Sequence, residues 1–525
     1  MHGPTMRHTR LYLIALPFLV STAAAASPDL RLVDAIAERN TSAVRALLNE
    51  GIDVNAARAD GATALLWAAH WDDREAVDLL LGAGANVNAA DDYGVTPLAR
   101  ACENASEPTV IRLLEARANP NAAQVNGLTP LMIAARTGSL NVVKALLSRG
   151  ANVNAATANT DETALSWAVA ERHLDIVRVL IDKGADVHAR PRQAFSPLIG
   201  AAENGDIETA KVLIAAGARV NDAASDGTHP LAYAVAIGQS AFAHFLLEQG
   251  ADPNGAVDGV TALHAAAGPV DTWLRAWYRR HGGAGRGRRL KLNERLALVN
   301  ALLARGANPN ARMTASEMAA QGFLRNGAFD TFETGTGDLA GATPLWVAAW
   351  AANPGAGRAE DPHRGIAHSS GDILRSLVAA GARPEITTAD GSTTLMAAAG
   401  CGRWAHVPKL QQAERQPAAE DAIRILIDAG VDVNAVNEAD FTALHCAAFS
   451  GMNELVQYLV EHGAEINARD WRGRTPFRLA EGAKQSFHYQ AWPEVAALFQ
   501  KLGADTTLGI PGTAHERLRG LVAAK

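Results

Sequence analysis

With 525 residues the chain is long enough for several globular domains or one repeat array, and length alone does not choose between them. A composition of 48% hydrophobic and 20% charged residues excludes a largely disordered chain. The net charge of −7 argues against a nucleic-acid binder, which would carry a strongly basic face. Aromatic residues make up only 5% while alanine is abundant, a balance that favours closely packed helices over a large aromatic core.

At the N-terminus Arg7, His8 and Arg10 precede an apolar run from Leu11 to Val20. The small residues Ser21 to Ala26 follow, and then Ser27. This order predicts a secretory signal peptide cleaved after Ala26, and so a periplasmic or secreted mature protein. The apolar run is shorter than the ~20 residues a membrane-spanning helix needs. No cysteine follows the cleavage site to take a lipid, and no later segment reads as transmembrane.

Beyond the leader one phrase recurs: Gly-x-Thr-Pro/Ala-Leu, then Ala-Ala, then an apolar stretch ending Leu-Leu-x-x-Gly-Ala-x-Val-Asn-Ala. Its clearest copies are Gly61–Ala89 and Gly127–Ala155. The threonine position is filled by Thr63, Thr96, Thr129, Thr163, Ser196, His229 and Thr261, at spacings of 33, 33, 34, 33, 33 and 32 residues. It returns at Thr343, Thr393, Thr442 and Thr475, and a half-degenerate copy, Leu32–Ala56, precedes them all. Threonine suits the N-cap of a first helix, and Pro97 or Pro130 its first turn, where a missing N–H costs nothing. Ala68-Ala69 and Ala134-Ala135 allow close helix approach. Val142, Val143, Leu146 and Leu147 form an apolar stripe on a second helix, which Gly150 ends. No such unit completes a core alone, so stacking is obligatory.

On these residues the chain resembles the ankyrin-repeat family, and the resemblance covers essentially everything after the leader. It implies an all-α solenoid of about twelve helix–turn–helix units, each opened by a β-turn or short hairpin. The expected division is signal peptide 1–26, regular repeats 27–260, repeats with long insertions 261–435, and C-terminal repeats with a cap 436–525. Two departures bear on local geometry. Arg117 stands where a terminating glycine is usual, predicting local strain, and His229 replaces the capping threonine. The resemblance also implies a structural hydrogen-bonding role for His264 and His445.

From each threonine to the glycine ending its second helix the count is normally 21 residues. It rises to 45 for Thr261–Gly306, 38 for Thr343–Gly381 and 37 for Thr393–Gly430, and the ordinary rhythm is expected again from Thr442. Insertions at one site in successive repeats should emerge side by side as a patch. The first, Pro269–Glu294, combines Trp273, Trp277 and Tyr278 with Arg275, Arg279, Arg280 and further arginines. It reads either as a site for an anionic surface or as a segment whose tryptophans dock on the array. The segment Met313–Leu339 carries Phe323, Phe329 and Phe332, with a short helix expected at Thr314–Gln321. The second insertion, Ala351–Asp372, holds Asp361, His363 and His368, whose spacing matches no metal motif. The third, Gly400–Asp421, adds Trp404 and His406 and a polar tail containing proline.

No zinc-protease, phosphate-loop, nucleophile-elbow or dinucleotide motif occurs, so neither catalysis nor a cofactor is expected. The alternative is an enzyme or metal-dependent site assembled from the insertions within 269–421. Three cysteines, Cys102, Cys401 and Cys446, are too few and too odd in number for a disulfide framework. Cys401 lies in an irregular stretch and is the candidate for a reactive thiol. The function expected is that of a scaffold for a protein partner. The resemblance places contacts at the turn tips and the positions ending the first helix: His70 and Trp71, Glu103 and Asn104, Arg136 and Thr137, Glu171, Glu203 and Asn204, Ile237, Trp350 and Phe449. Trp71 and Trp350 stand out as aromatic anchors, and Trp273, Trp277, Arg279 and Arg280 complete the candidates. Trp67 and Trp167 are expected in the core.

Overall fold

Most repeats open on the same local device. The side chain of Thr63 accepts a hydrogen bond from the backbone N–H of Leu66 at 3.3 Å, Thr129 from Met132 at 3.3 Å and Thr393 from Met396 at 3.1 Å. One orphan donor of each first helix is thereby satisfied. Pro97 and Pro130 are the first residues of their helices. His229 keeps the extended N-cap conformation but makes no side-chain cap.

The computed structural model describes residues 29–191, 195–271, 273–281, 290–314, 339–353, 370–401, 409–485 and 488–509. Among them are twelve antiparallel helix pairs, from Arg31–Ala37 with Thr41–Asn49 to Pro476–Gly482 with Pro493–Lys501, and one additional short helix, Arg275–Arg280. Strands are confined to two-stranded hairpins of two or three residues each, Ala256–Val257 with Val260–Thr261 and Ala483–Gln485 with His488–Gln490. The chain forms two compact units, Met1–Ala122 and Ala123–Lys525. Within each, the small residues are where helices approach: Ala68, Ala69, Ala134 and Ala135 are fully buried, as are Val142, Val143 and Leu146.

The recurring Val-Asn-Ala phrase has a mechanical purpose. Within the first unit the Asn88 side chain donates to the carbonyl of Arg117 at 3.3 Å and accepts from Asn119 N at 2.7 Å. Asn154 does the same to Gly184 and Asp186, and Asn434 to Gly463 and Glu465. The clamp also bridges the insertions. Asn254 reaches Gly306 and Asn308, and Asn310 reaches Gly381 and Arg383. Each asparagine therefore ties the loop of its own repeat to the helix end of the next, and long insertions leave that link intact.

Arg117 occupies the left-handed conformation at φ 67°, where its neighbours use glycine, such as Gly150 at φ 83°. This is a sterically costly place for a residue with a Cβ, in line with the strain expected from the sequence. Just upstream, Pro108 is accommodated in the first turn of the helix Glu107–Glu115.

The first insertion leaves the array at Gly268, which is extended at the end of the helix Ala262–Ala267 instead of turning directly into the second helix. A Cβ there would lie 2.8 Å from Val347 Cγ1 and 3.0 Å from the Val347 carbonyl oxygen, so the close approach requires glycine. The last carbonyls of Ala262–Ala267 are served from the second helix: the Arg295 guanidinium donates to Ala265 O at 3.1 Å and Ala266 O at 3.2 Å. The polar tail of the third insertion is helical, part of a long helix Lys409–Asp428 that contains Pro417. The rhythm expected again from Thr442 fails in the last repeat. There the paired strands Ala483–Gln485 and His488–Gln490 lie between the two helices, so the regular rhythm does not persist to the end.

Cys401 and Cys446 form a disulfide across a Cα–Cα distance of 5.1 Å, joining the end of one first helix to the first helix of the next repeat. Cys401 is buried and covalently paired, which corrects its assignment as an exposed reactive thiol. Cys102 is buried and lies outside the disulfide, and burial pushes its thiol pKa well above the usual range.

Candidate interaction surface

The helix Ala64–His70 ends in an aromatic cluster. Trp67 and Trp71 stack with ring centroids 6.3 Å apart and planes 29° apart, and the His70 ring meets Trp71 edge-on at 4.7 Å. Trp71 remains 41% exposed, while Trp67 and His70 are half-buried. The Arg58 guanidinium lies 5.2 Å from the Trp67 ring centroid, within cation–π range. Trp67 is therefore an aromatic platform between core and surface. The helix end is fixed from the next repeat, because the Asn104 side chain donates to the carbonyls of Ala69 at 3.0 Å and His70 at 2.7 Å.

The second unit repeats this construction. Exposed Arg136 sits 5.4 Å from the ring of half-buried Trp167, and His173 Nε2 contacts the Arg136 carbonyl at 3.2 Å. Asn204 donates to the carbonyls of Val169 and Ala170, and Gln239 to that of Glu203. Sequence pattern placed Asn104 and Asn204 among the partner-facing positions; the structure uses both as caps for the preceding helix. Orphan carbonyls at a helix end need donors, and the adjacent repeat supplies them.

Several expected surface residues are buried. Trp350 is only 7% exposed, packed against Trp273 at 5.2 Å and Trp346 at 6.2 Å. Phe449 is buried, and the Trp492 indole N–H donates to its carbonyl oxygen at 2.9 Å. Ile237 is fully buried. Trp273 and Trp277 are each 1% exposed, so the aromatic half of the first insertion packs against the array and is not offered to solvent. Of that group Arg279 and Arg280 stay exposed, with Arg280 paired to Asp258 at 3.0 Å. Of the remaining candidates on the regular repeats, Trp71, Arg136, Thr137 and Glu171 are exposed, and His70, Glu103 and Glu203 are half-buried.

Buried histidines serve the fold. His264 Nδ1 accepts from Thr261 N at 3.2 Å, which leaves Nε2 to carry the proton that faces the carbonyls of Ala311 and Ala342, each at 3.1 Å. Burial lowers its pKa to about 4, against the opposing effect of those carbonyls. His445 repeats the arrangement with Thr442 and Arg474 O, and its pKa is lowered for the same reason. Asp361, His363, His368, Trp404, His406, the three phenylalanines of 323–332 and all but the first residue of the expected helix Thr314–Gln321 lie outside the described residues. Among the described residues no group of three metal-ligating side chains forms, and no helix is long and apolar enough to cross a membrane.

The family described as "Ankyrin repeats (3 copies)" matches residues 32–124, 106–191, 198–272 and 363–470. Serine/threonine-protein kinase 12 of Arabidopsis thaliana is 42% identical over 57 residues, 11% of this chain and 12% of the relative. An ankyrin repeat-containing protein of Schizosaccharomyces pombe is 38% identical over 61 residues, 12% of this chain and 30% of the relative. Protein phosphatase 1 regulatory subunit 27 of Mus musculus is 33% identical over 91 residues, 17% of this chain and 54% of the relative. In each case the match spans less than two thirds of the relative. Capped helix pairs clamped by asparagine, matched by the family over most of the chain, place this protein in the ankyrin-repeat family.

Proposed function

We propose that the protein is an extracytoplasmic scaffold that binds a protein partner through the end of the first helix that carries His70 and Trp71. The observation that carries this reading is Trp71, a tryptophan left 41% exposed beside a half-buried histidine at the end of a rigidly capped helix. A large aromatic on a preorganised element is the usual anchor of a protein interface. The family supports a binding role, and one relative bears the name of a phosphatase regulatory subunit, a part that acts with another protein. Two features support a location outside the cytoplasm: the charged, apolar and small-residue order of residues 7–26, and the Cys401–Cys446 disulfide, since such bonds persist in oxidising compartments.

The test is recovery from native cells. The expected protein comes from the periplasmic or extracellular fraction with Ser27 as its first residue, and it retains a partner that Trp71→Ala releases. Loss of an anchor tryptophan costs about 2 kcal/mol or more, roughly thirtyfold in affinity. A cytoplasmic protein with an intact leader would overturn the location, and unchanged capture by the variant would remove Trp71 from the interface.

A further inference from the structure

Four residues after the threonine position, the first helices of three regular repeats carry an aromatic ring: Trp67, Trp167 and Tyr233. Trp67 and Trp167 are half-buried, and each has an arginine over its face. Tyr233, at the same register, is fully buried. Phe195 packs on its ring at 4.7 Å, and the first insertion adds a second cover. Trp277 covers the Tyr233 ring at 5.5 Å between centroids and lies nearly parallel to Phe195 at 6.0 Å. Its indole N–H donates to the Asp226 carboxylate and the Thr228 hydroxyl, each at 3.0 Å. One turn on, His281 stacks on Trp277 at 4.2 Å and places Nε2 3.1 Å from Asp226. Arg280 adds the pair with Asp258. Asp226 and Asp258 belong to the turns that open successive repeats, and Tyr233 belongs to a first helix. The segment thus lies on turns and first helices, elements that elsewhere in the chain leave Tyr93 and Trp71 exposed.

We propose that Phe195, Asp226, Thr228 and Tyr233 form a docking face for a short helix bearing a tryptophan and cations, and that Trp273–His281 occupies this face in cis as its resident ligand. An aromatic platform meets the indole, the carboxylates meet the cations, and the indole N–H has two acceptors waiting for it. A partner helix of the same chemistry binds here only by displacing the segment. This inference stands apart from the role of Trp71, which concerns the other compact unit.

The experiment uses the full chain, its Trp277→Ala variant and a labelled peptide of residues 269–281. Intact protein is expected to leave the peptide free in fluorescence anisotropy. The variant, its face vacated, is expected to bind it, and adding Asp226→Ala should weaken that binding by roughly tenfold or more, as loss of an anchoring contact does. Hydrogen exchange on the variant supplies the second readout. Deprotection confined to 273–281 means a docked segment. Deprotection extending through the helices Pro230–Ala236 and Ala262–Ala267 means that Trp277 is simply part of the core, and that result overturns the proposal. So does a well-folded variant that ignores the peptide, or an intact protein that binds it equally well.

Discussion

His264 is held neutral by burial, and the geometry agrees: a backbone N–H can only donate, so its bond to Nδ1 occupies the nitrogen that a second proton would need. The unfolded chain has no such restraint and titrates near the ordinary value of 6.5, whereas the folded chain resists protonation down to about 4. Between those values the unfolded state binds the extra proton, so stability is complete above about pH 6.5 and declines as the pH falls towards 4. The loss for this one group is about 3 kcal/mol. Urea unfolding at pH 7 and pH 4.5 should show it. His264→Gln, whose amide can accept from Thr261 and donate onward without titrating, should show a smaller acid-dependent loss; an identical pH dependence would mean that His264 does not carry it. At this scale the sequence was legible where chemistry is local. The capping threonines, the prolines of the first turn and the strained Arg117 all follow from one residue and its immediate neighbours. Trp350 and Phe449 were misread because exposure at the end of a first helix depends on what lies over it. Trp273, from a different repeat, packs on the first, and Trp492 reaches the second from 43 residues downstream.

Elements show the same division. Helix pairs and their stacking follow from the 33-residue period, because each unit has two apolar sides and no core of its own. The path of an insertion does not follow from any period. The chain leaves the helix at Gly268, where Val347 stands too close for a side chain, and the tryptophans beyond it meet Tyr233 and Trp346. The disulfide was likewise hidden. An odd cysteine count excludes a complete framework but not one bond, and Cys401 and Cys446 become neighbours only when consecutive first helices stack. Protein denatured without reductant should therefore release one titratable thiol per chain, that of Cys102, and all three after reduction. Three thiols before reduction would refute the pairing. Cys446→Ser should lower stability by up to about 4 kcal/mol, the loop-closure entropy for residues 45 apart, seen as an earlier urea midpoint.

For the whole molecule, the asparagine clamps explain how an array tolerates insertions. Asn254 and Asn310 make to residues 52 and 71 positions away the bond that Asn154 makes at 30. The register of one repeat on the next is thus set by turn and helix end, while the connection between helices is free to grow. That freedom leaves first-helix ends such as His70 and Trp71 as preformed, rigid surface, and the central functional claim is that a protein partner is held there. A photoreactive amino acid placed at position 71, with a control at the exposed outer-helix position of Arg74, tests it most directly in the native cell. The account predicts a discrete protein adduct from position 71 and none from 74; no adduct from 71, or the same adducts from both, would contradict it.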